Sequence, residues 1–196
     1  MEYKAASQRR KRELADALKN LMQTKPFSKI TVSELIKVCN INRNTFYYHF
    51  EDTNALLKWT LEQEAVQVVK KFDLITENKD AIYFVMDYVD ENHKMILNIC
   101  DSVGIGELRK FFSNDFYEIV SSVVNSFEKM KNITVDESYK DFLCRFFTEA
   151  MAGFLLEWIS QDKHKDREET VEYISSTLHD SILSSLQTYN TNKSEA

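Results

Sequence analysis

The residues of this chain that could carry covalent or metal chemistry are few and do not converge. His93 and Cys100, seven apart in a helical pattern, are soft metal ligands, yet two ligands do not make a site and no partner stands at ligand spacing. His164 sits in the polar link Lys163-His164-Lys165, where solvation is expected, and His179 has no local partner that would make it a ligand. No glycine loop able to cradle a phosphate, no metal-ligand cluster and no nucleophile with a positioned base is evident, so neither an enzyme, a metal nor a cofactor is expected. The concentrated chemistry is non-covalent. The run Phe46-Tyr47-Tyr48-His49-Phe50 combines apolar bodies with hydrogen-bonding tips; Phe46 and Phe50 suit a core, whereas the tyrosines and His49 suit the edge of a groove.

The flanking residues supply the elements that must position this run. From Ser7 to Lys25, apolar Leu14, Leu18, Leu21 and Met22 fall on one helical face, with Arg9, Arg10, Lys11 and Arg12 in the first turns. Pro26 cannot continue that helix. Thr31-Val32-Ser33-Glu34 matches a capping box, so a second helix starts there. It carries Leu35, Ile36 and Val38 and stops near Cys39-Asn40, because asparagine tolerates the left-handed conformation that ends helices. Asn42 can cap a third, short helix through Phe50. Two short helices separated by a tight turn, behind a basic helix, describe a helix-turn-helix. The charge agrees: residues 1–50 hold ten Lys/Arg and four Asp/Glu, leaving fifteen and twenty-seven for the remainder, so a front of +6 precedes a body of −12. A basic front meets a polyanion, and the acidic body meets something else.

Three glycines and one proline in 196 residues leave too little turn chemistry for a sandwich, barrel or hairpin array. The predicted fold is all-α: an N-terminal three-helix helix-turn-helix module over residues 1–58, joined to a larger helical domain over 59–196 for ligand binding and dimerisation. A connecting helix is expected from Asp52 towards Ile75. Further helices are expected over 80–100, 114–130, 136–162 and 167–189, with breaks at Gly104 and Gly106 and a short segment over 108–112. Between Phe142 and Ile159 only Arg145, Glu149 and Glu157 are charged, so that helix must be buried on more than one side. Ala150, Ala152 and Gly153 let another helix approach closely. Two late apolar helices suggest an intermolecular four-helix bundle, hence a homodimer through the last two helices. The longest uncharged stretch, Ser181 to Asn192, has 12 residues and is rich in Ser, Thr and Asn, so no membrane span is expected. Glu2-Tyr3 and a charged run follow Met1, unlike a secretory signal. Cys39, Cys100 and Cys144, odd in number and widely spaced, suit buried thiols in a cytoplasmic protein.

The stretch from Thr31 to Phe50 resembles the DNA-binding signature of the TetR family of bacterial regulators. The resemblance spans roughly the first 60 residues, including the Pro26-Phe27 turn and the Leu56-Leu57 pair. It implies an all-helical dimer whose front modules bind a palindromic double-stranded operator while the body receives an effector. Carried over by position, Arg43 to His49 form the recognition helix. Arg43 would donate two hydrogen bonds to guanine, Asn44 would pair with adenine or a phosphate, and Thr45 and Tyr47 would touch a thymine methyl or the backbone. Thr31, Ser33, Tyr48, His49 and Lys58 would bind phosphate oxygens, with salt-sensitive help from Arg9 to Arg12. Two positions depart from the family: many members carry lysine at Thr53 and a small residue at Asn44. The run Phe46 to Asp52 followed by Leu56-Leu57-Lys58-Trp59 is more similar to the branch that includes the dihydroxyacetone kinase activators, where the signal can arrive through a protein partner.

The implied function is a transcription regulator, a repressor released by an effector. The alternatives are an activator or coactivator controlled by a protein partner, and an interaction module that has abandoned DNA, which the residue at Thr53 favours. For the effector, Val85, Val89, His93, Ile96 and Cys100 share a face of the predicted fifth helix. Phe111, Phe112, Phe116, Phe146, Phe147 and Trp158 are available if the helices close on a cavity. The candidate pocket is therefore Val89, His93, Ile96, Phe112, Phe116 and Phe147, with plain core packing as its alternative.

Overall fold

The structure is a computed structural model that describes residues 2–160 and 166–194; His164, expected to be solvated, and the side chain of Phe111 lie outside the described part. Every regular element in that part is helical. The elements are α1 Glu2–Met22, α2 Val32–Val38, α3 Arg43–His49, α4 Thr53–Leu61, α5 Gln67–Val69, α6 Asn78–Glu91, α7 His93–Val103, α8 Ile105–Lys131, α9 Glu137–Ser160 and α10 Arg167–Ser194, with a 3-10 turn at Phe27–Lys29 and a π turn at Glu62–Val66. The all-α expectation holds, with the helix-turn-helix at the front and a longer helical region behind it.

Among the boundaries that differ from those expected, three change how the helices join. The connecting helix ends at Val69, where the Phe72 amide turns back to the Val69 carbonyl at 3.1 Å, and a second turn follows in which the Asp73 carboxylate accepts from the amide of Ile75 at 3.1 Å. The predicted fifth helix is two helices. Asn92, at φ −107° and ψ 14°, interrupts it between α6 and α7, so Val85 and Val89 do not continue the face of His93, Ile96 and Cys100. Gly104, at φ 84°, does separate α7 from α8, but Gly106 lies in the first turn of α8, which continues unbroken through Asn114.

The chain divides into two compact units, Met1–Val68 with Glu91–Leu108, and Val69–Asp90 with Arg109–Ala196. In the first, Leu14 and Leu18 of α1, Leu35 of α2, Phe46 of α3, Leu56 and Leu57 of α4 and Ile99 of α7 are fully shielded from solvent. Each such side chain contributes about 1.5–3 kcal/mol of burial. Val38, which α2 carries beside Leu35, is exposed. The Asn98 amide on α7 holds the turn after α1 through three of its four hydrogen bonds, the fourth lying within α7. It donates to the carbonyls of Met22 (2.9 Å) and Lys25 (2.8 Å), and its oxygen accepts from the amide of Phe27 (2.7 Å) and the hydroxyl of Ser102 (3.3 Å).

The second unit is built around Val120, Val124, Phe127, Leu143, Cys144, Phe147, Ile182 and Leu186. Tyr139 and Tyr189 stack at 4.0 Å, and their hydroxyls donate to the Ser185 carbonyl and the Asp136 carboxylate. On α9, Leu143, Phe147, Ala152 and Trp158 are buried, whereas Phe142 and Phe146 are each 58% and Phe154 39% exposed. Within one chain, therefore, that helix keeps an uncovered aromatic face. The three cysteines are free, Cys144 buried and the others half-buried. No helix of the described residues is long and apolar enough to cross a membrane.

Candidate nucleic-acid interface

Side chains three residues upstream define the start of α2, α3 and α4. The amide of Glu34 donates to the Thr31 hydroxyl at 3.3 Å, while the Glu34 carboxylate accepts from the Thr31 amide and hydroxyl, both at 3.0 Å. Lys25 also pairs with that carboxylate; the Lys25 contact, then the bonds from Thr31, hold the Glu34 pKa down to about 2. At the end of α2, Asn40 takes φ 49° and the Ile41 amide donates to the Ile36 carbonyl at 3.0 Å, the double-back closure that an αL residue permits. Asn42 then caps α3, accepting from the amide and hydroxyl of Thr45 at 2.8 and 3.0 Å. Asp52 caps α4 through the amide of Ala55 at 2.8 Å.

With α3 so held, its residues sort by face. Phe46 is fully buried, meeting Tyr47 edge-on at 5.6 Å and Phe50 at 6.2 Å, and Phe50 meets Trp59 at 5.7 Å. On the other side Arg43, Asn44, Tyr47 and Tyr48 are all exposed, the two tyrosines at 47% and 65%. The Arg43 guanidinium lies 5.7 Å from the Tyr47 ring, with an Nη2 to hydroxyl distance of 3.5 Å. That contact pre-orders the arginine fork, which matters because bidentate recognition of a guanine depends on a fixed plane.

The remaining candidates are placed less uniformly. Ser33 and Lys58 are exposed, and Lys58 forms no ion pair among the described residues. Thr31 is exposed, but its hydroxyl proton is directed at Glu34, and the hydroxyl of half-buried Thr45 is likewise committed to Asn42, leaving its methyl for apolar contact. His49 is half-buried and lies edge-on to Tyr48 at 4.9 Å. Burial, then the charges of Lys11 and Arg10, lower its pKa, so at neutral pH it offers a neutral ring and not a cation. Lys11 sits 5.4 Å from Phe50 and 5.6 Å from Trp59, and Arg9 and Arg10 both hold Glu13, whereas Arg12 is exposed without an ion pair among the described residues. Within the cluster Arg9 to Arg12, Arg12 is thus the residue left for a polyanion.

The six residues expected to form an effector pocket are divided between the two units. Phe116 is in the wall of a cavity in the second unit; Phe112 stacks on it at 5.9 Å. Val89 is buried, and Phe147 belongs to the packed core around Phe127. His93 and Ile96 belong to α7 in the first unit. Sequence reasoning missed Asn98, whose partners lie 71 to 76 residues away, and the cavity position of His179. No local pattern carried either signal.

Two family models match successive parts of the chain. Residues 14–58 match the family described as bacterial regulatory proteins, tetR family, and residues 68–180 match one described as transcriptional regulator C-terminal region. Over 146 residues the chain is 25% identical to the HTH-type dhaKLM operon transcriptional activator DhaS of Lactococcus lactis subsp. lactis, covering 74% of this chain and 77% of that protein. A solved structure of a dihydroxyacetone kinase operon activator DhaS superposes with a TM-score of 0.64 at 23% identity, over 92% of this chain and 98% of that one, a likeness of fold.

Proposed function

The chain belongs to the TetR family of bacterial DNA-binding transcriptional regulators, and from that premise we propose that it works as a homodimer on a palindromic operator, as a cytoplasmic repressor that an effector releases, without enzymatic activity. The observation that carries this reading is the exposed set Arg43, Asn44, Tyr47 and Tyr48 on a helix whose opposite side is pinned by Phe46. In the proposed complex Arg43, Asn44, Thr45 and Tyr47 read base edges. Ser33, Tyr48, His49 and Lys58 bind phosphate oxygens, and Thr31 joins them when its hydroxyl turns away from Glu34. The exposed Phe142, Phe146 and Phe154 support dimerisation through α9 and α10, since a helix face of that kind is covered in a stable assembly. The effector acts by its different affinity for the two states of the protein.

A second reading, activation under control of a protein partner, is favoured by the similarity to the Lactococcus activator, whose name states that sign of control. Labelled duplex from the protein's own promoter region, titrated at rising salt against random duplex of equal length, tests operator binding. The proposal expects the promoter duplex to be preferred at every salt concentration, with affinity for both falling as salt rises. Equal affinity for the two would overturn it. Reporter expression from that promoter, with and without the gene, then separates repressor from activator.

A further inference from the structure

A cavity of about 400 Å3 lies within the second unit, walled by residues of α6, α8, α9 and α10. That volume falls in the range of small-molecule sites, about 300–1,000 Å3. Among the described residues its wall includes Met86, Phe116, Phe127, Met151, Trp158 and Ile182 and contains no Lys, Arg, Asp or Glu. An ionised ligand group placed there would lose its hydration with no counter-charge to replace it, and a small polyol would leave most of its hydroxyls unmatched.

The few polar groups in the wall narrow the ligand further. The Ser175 hydroxyl donates to Asn78 Oδ1 at 2.9 Å, which commits that hydroxyl proton to that amide oxygen. His179 Nδ1 lies 2.9 Å from the Asp180 carboxylate, and its ring meets Phe127 edge-on at 4.9 Å. An ionised carboxylate can only accept, so Nδ1 carries the proton, and in the neutral ring Nε2 is left as an acceptor. We propose that this cavity binds a neutral, mainly apolar small molecule with a hydroxyl or N–H group that donates to His179. The inference rests on the reading of the second unit as the receiver of an effector and names the chemical class that unit takes.

The probe for a test is N-phenyl-1-naphthylamine, a neutral dye with one N–H group that brightens in apolar sites, titrated into the full-length protein at pH 7. Saturable binding with one dye per chain is expected. Among competitors, 1-naphthol should displace the dye, 1-naphthoate, the same ring system with a carboxylate, should be at least about tenfold weaker, and dihydroxyacetone should not displace it. Val123→Trp and Val85→Trp, at two different walls, should each abolish dye binding while the variant that melts like wild type shows the fold intact. His179→Phe should erase the preference for 1-naphthol over 1-methoxynaphthalene, which cannot donate. Absent or unsaturable dye binding, equal competition by 1-naphthoate, or wild-type dye binding in both well-folded tryptophan variants would overturn the proposal. Promoter-DNA titration of the same preparation keeps the two ideas apart. Operator binding without dye binding sinks the cavity ligand alone, and dye binding without operator binding sinks the operator reading alone.

Discussion

Between Thr31 and Leu61 three successive helices start on the same device, a side-chain oxygen accepting the amide three residues ahead: Thr31 from Glu34, Asn42 from Thr45, Asp52 from Ala55. In the second unit, as at Asn98 in the first, the side-chain contacts between elements reach much farther along the chain than these caps. Lys70 pairs with Glu118, Arg109 with Glu149, Arg167 with Asp87, and Ser175 bonds to Asn78, separations of 48, 40, 80 and 97 residues. A surface that must present a fixed set of donors to a rigid duplex can be specified locally, because short capped helices need few neighbours to hold them. A chamber for a small molecule needs walls from several helices, and its shape exists only once distant segments have met.

The largest effect that would break this contrast sits under the reading surface. Phe46→Ala removes a fully buried ring and should cost about 3–5 kcal/mol of stability in urea or thermal unfolding, with DNA binding lost alongside. Tyr48→Ala, two residues on and 65% exposed, should leave stability within about 0.5 kcal/mol and weaken DNA binding only. Next in size, Arg43→Ala should lose about 1–3 kcal/mol of operator affinity in an anisotropy titration and relax discrimination at one base pair, without a change in melting. Asn42→Ala should cost about 1 kcal/mol of stability through the lost cap, and Asn42→Ser should recover most of it. The smallest effect concerns acid. Because burial and the nearby Lys11 hold the His49 pKa below its ordinary 6.5, the folded module takes up a proton less readily than the unfolded chain. Its contribution is complete above 6.5 and is lost as pH falls from there through the folded value. Wild type should therefore lose more thermal stability between pH 7 and 5 than His49→Gln; equal losses would contradict this assignment.

The same contrast explains what could be read from the residues alone. The capping box at Thr31, the left-handed Asn40, the cap at Asn42 and the inward Phe46 are all local and were legible. So was the break between the helices expected over 114–130 and 136–162, where Asn132 takes φ 51° and repeats the closure seen at Asn40, with the Ile133 amide on the Glu128 carbonyl at 3.0 Å. The interruption at Asn92 was not, because Val85, Val89, His93 and Ile96 keep helical spacing across it and no glycine or proline marks the break. An apolar face looks the same in sequence whether it packs on a core or lines a chamber. Phe147 and Phe116 therefore read alike, and only the assembled unit separates them. His179 seemed alone for a similar reason: its neighbour Asp180 is adjacent in the chain, but Phe127 comes from another helix.

The account stands most directly on selection of bound sequences from a random duplex library by the full-length protein at physiological salt. The account predicts enrichment of a motif with two-fold symmetric halves whose centres lie about one helical turn, or a multiple of it, apart, and loss of one position in each half when Arg43→Ala is used. A pool that stays random while the protein remains folded would contradict it.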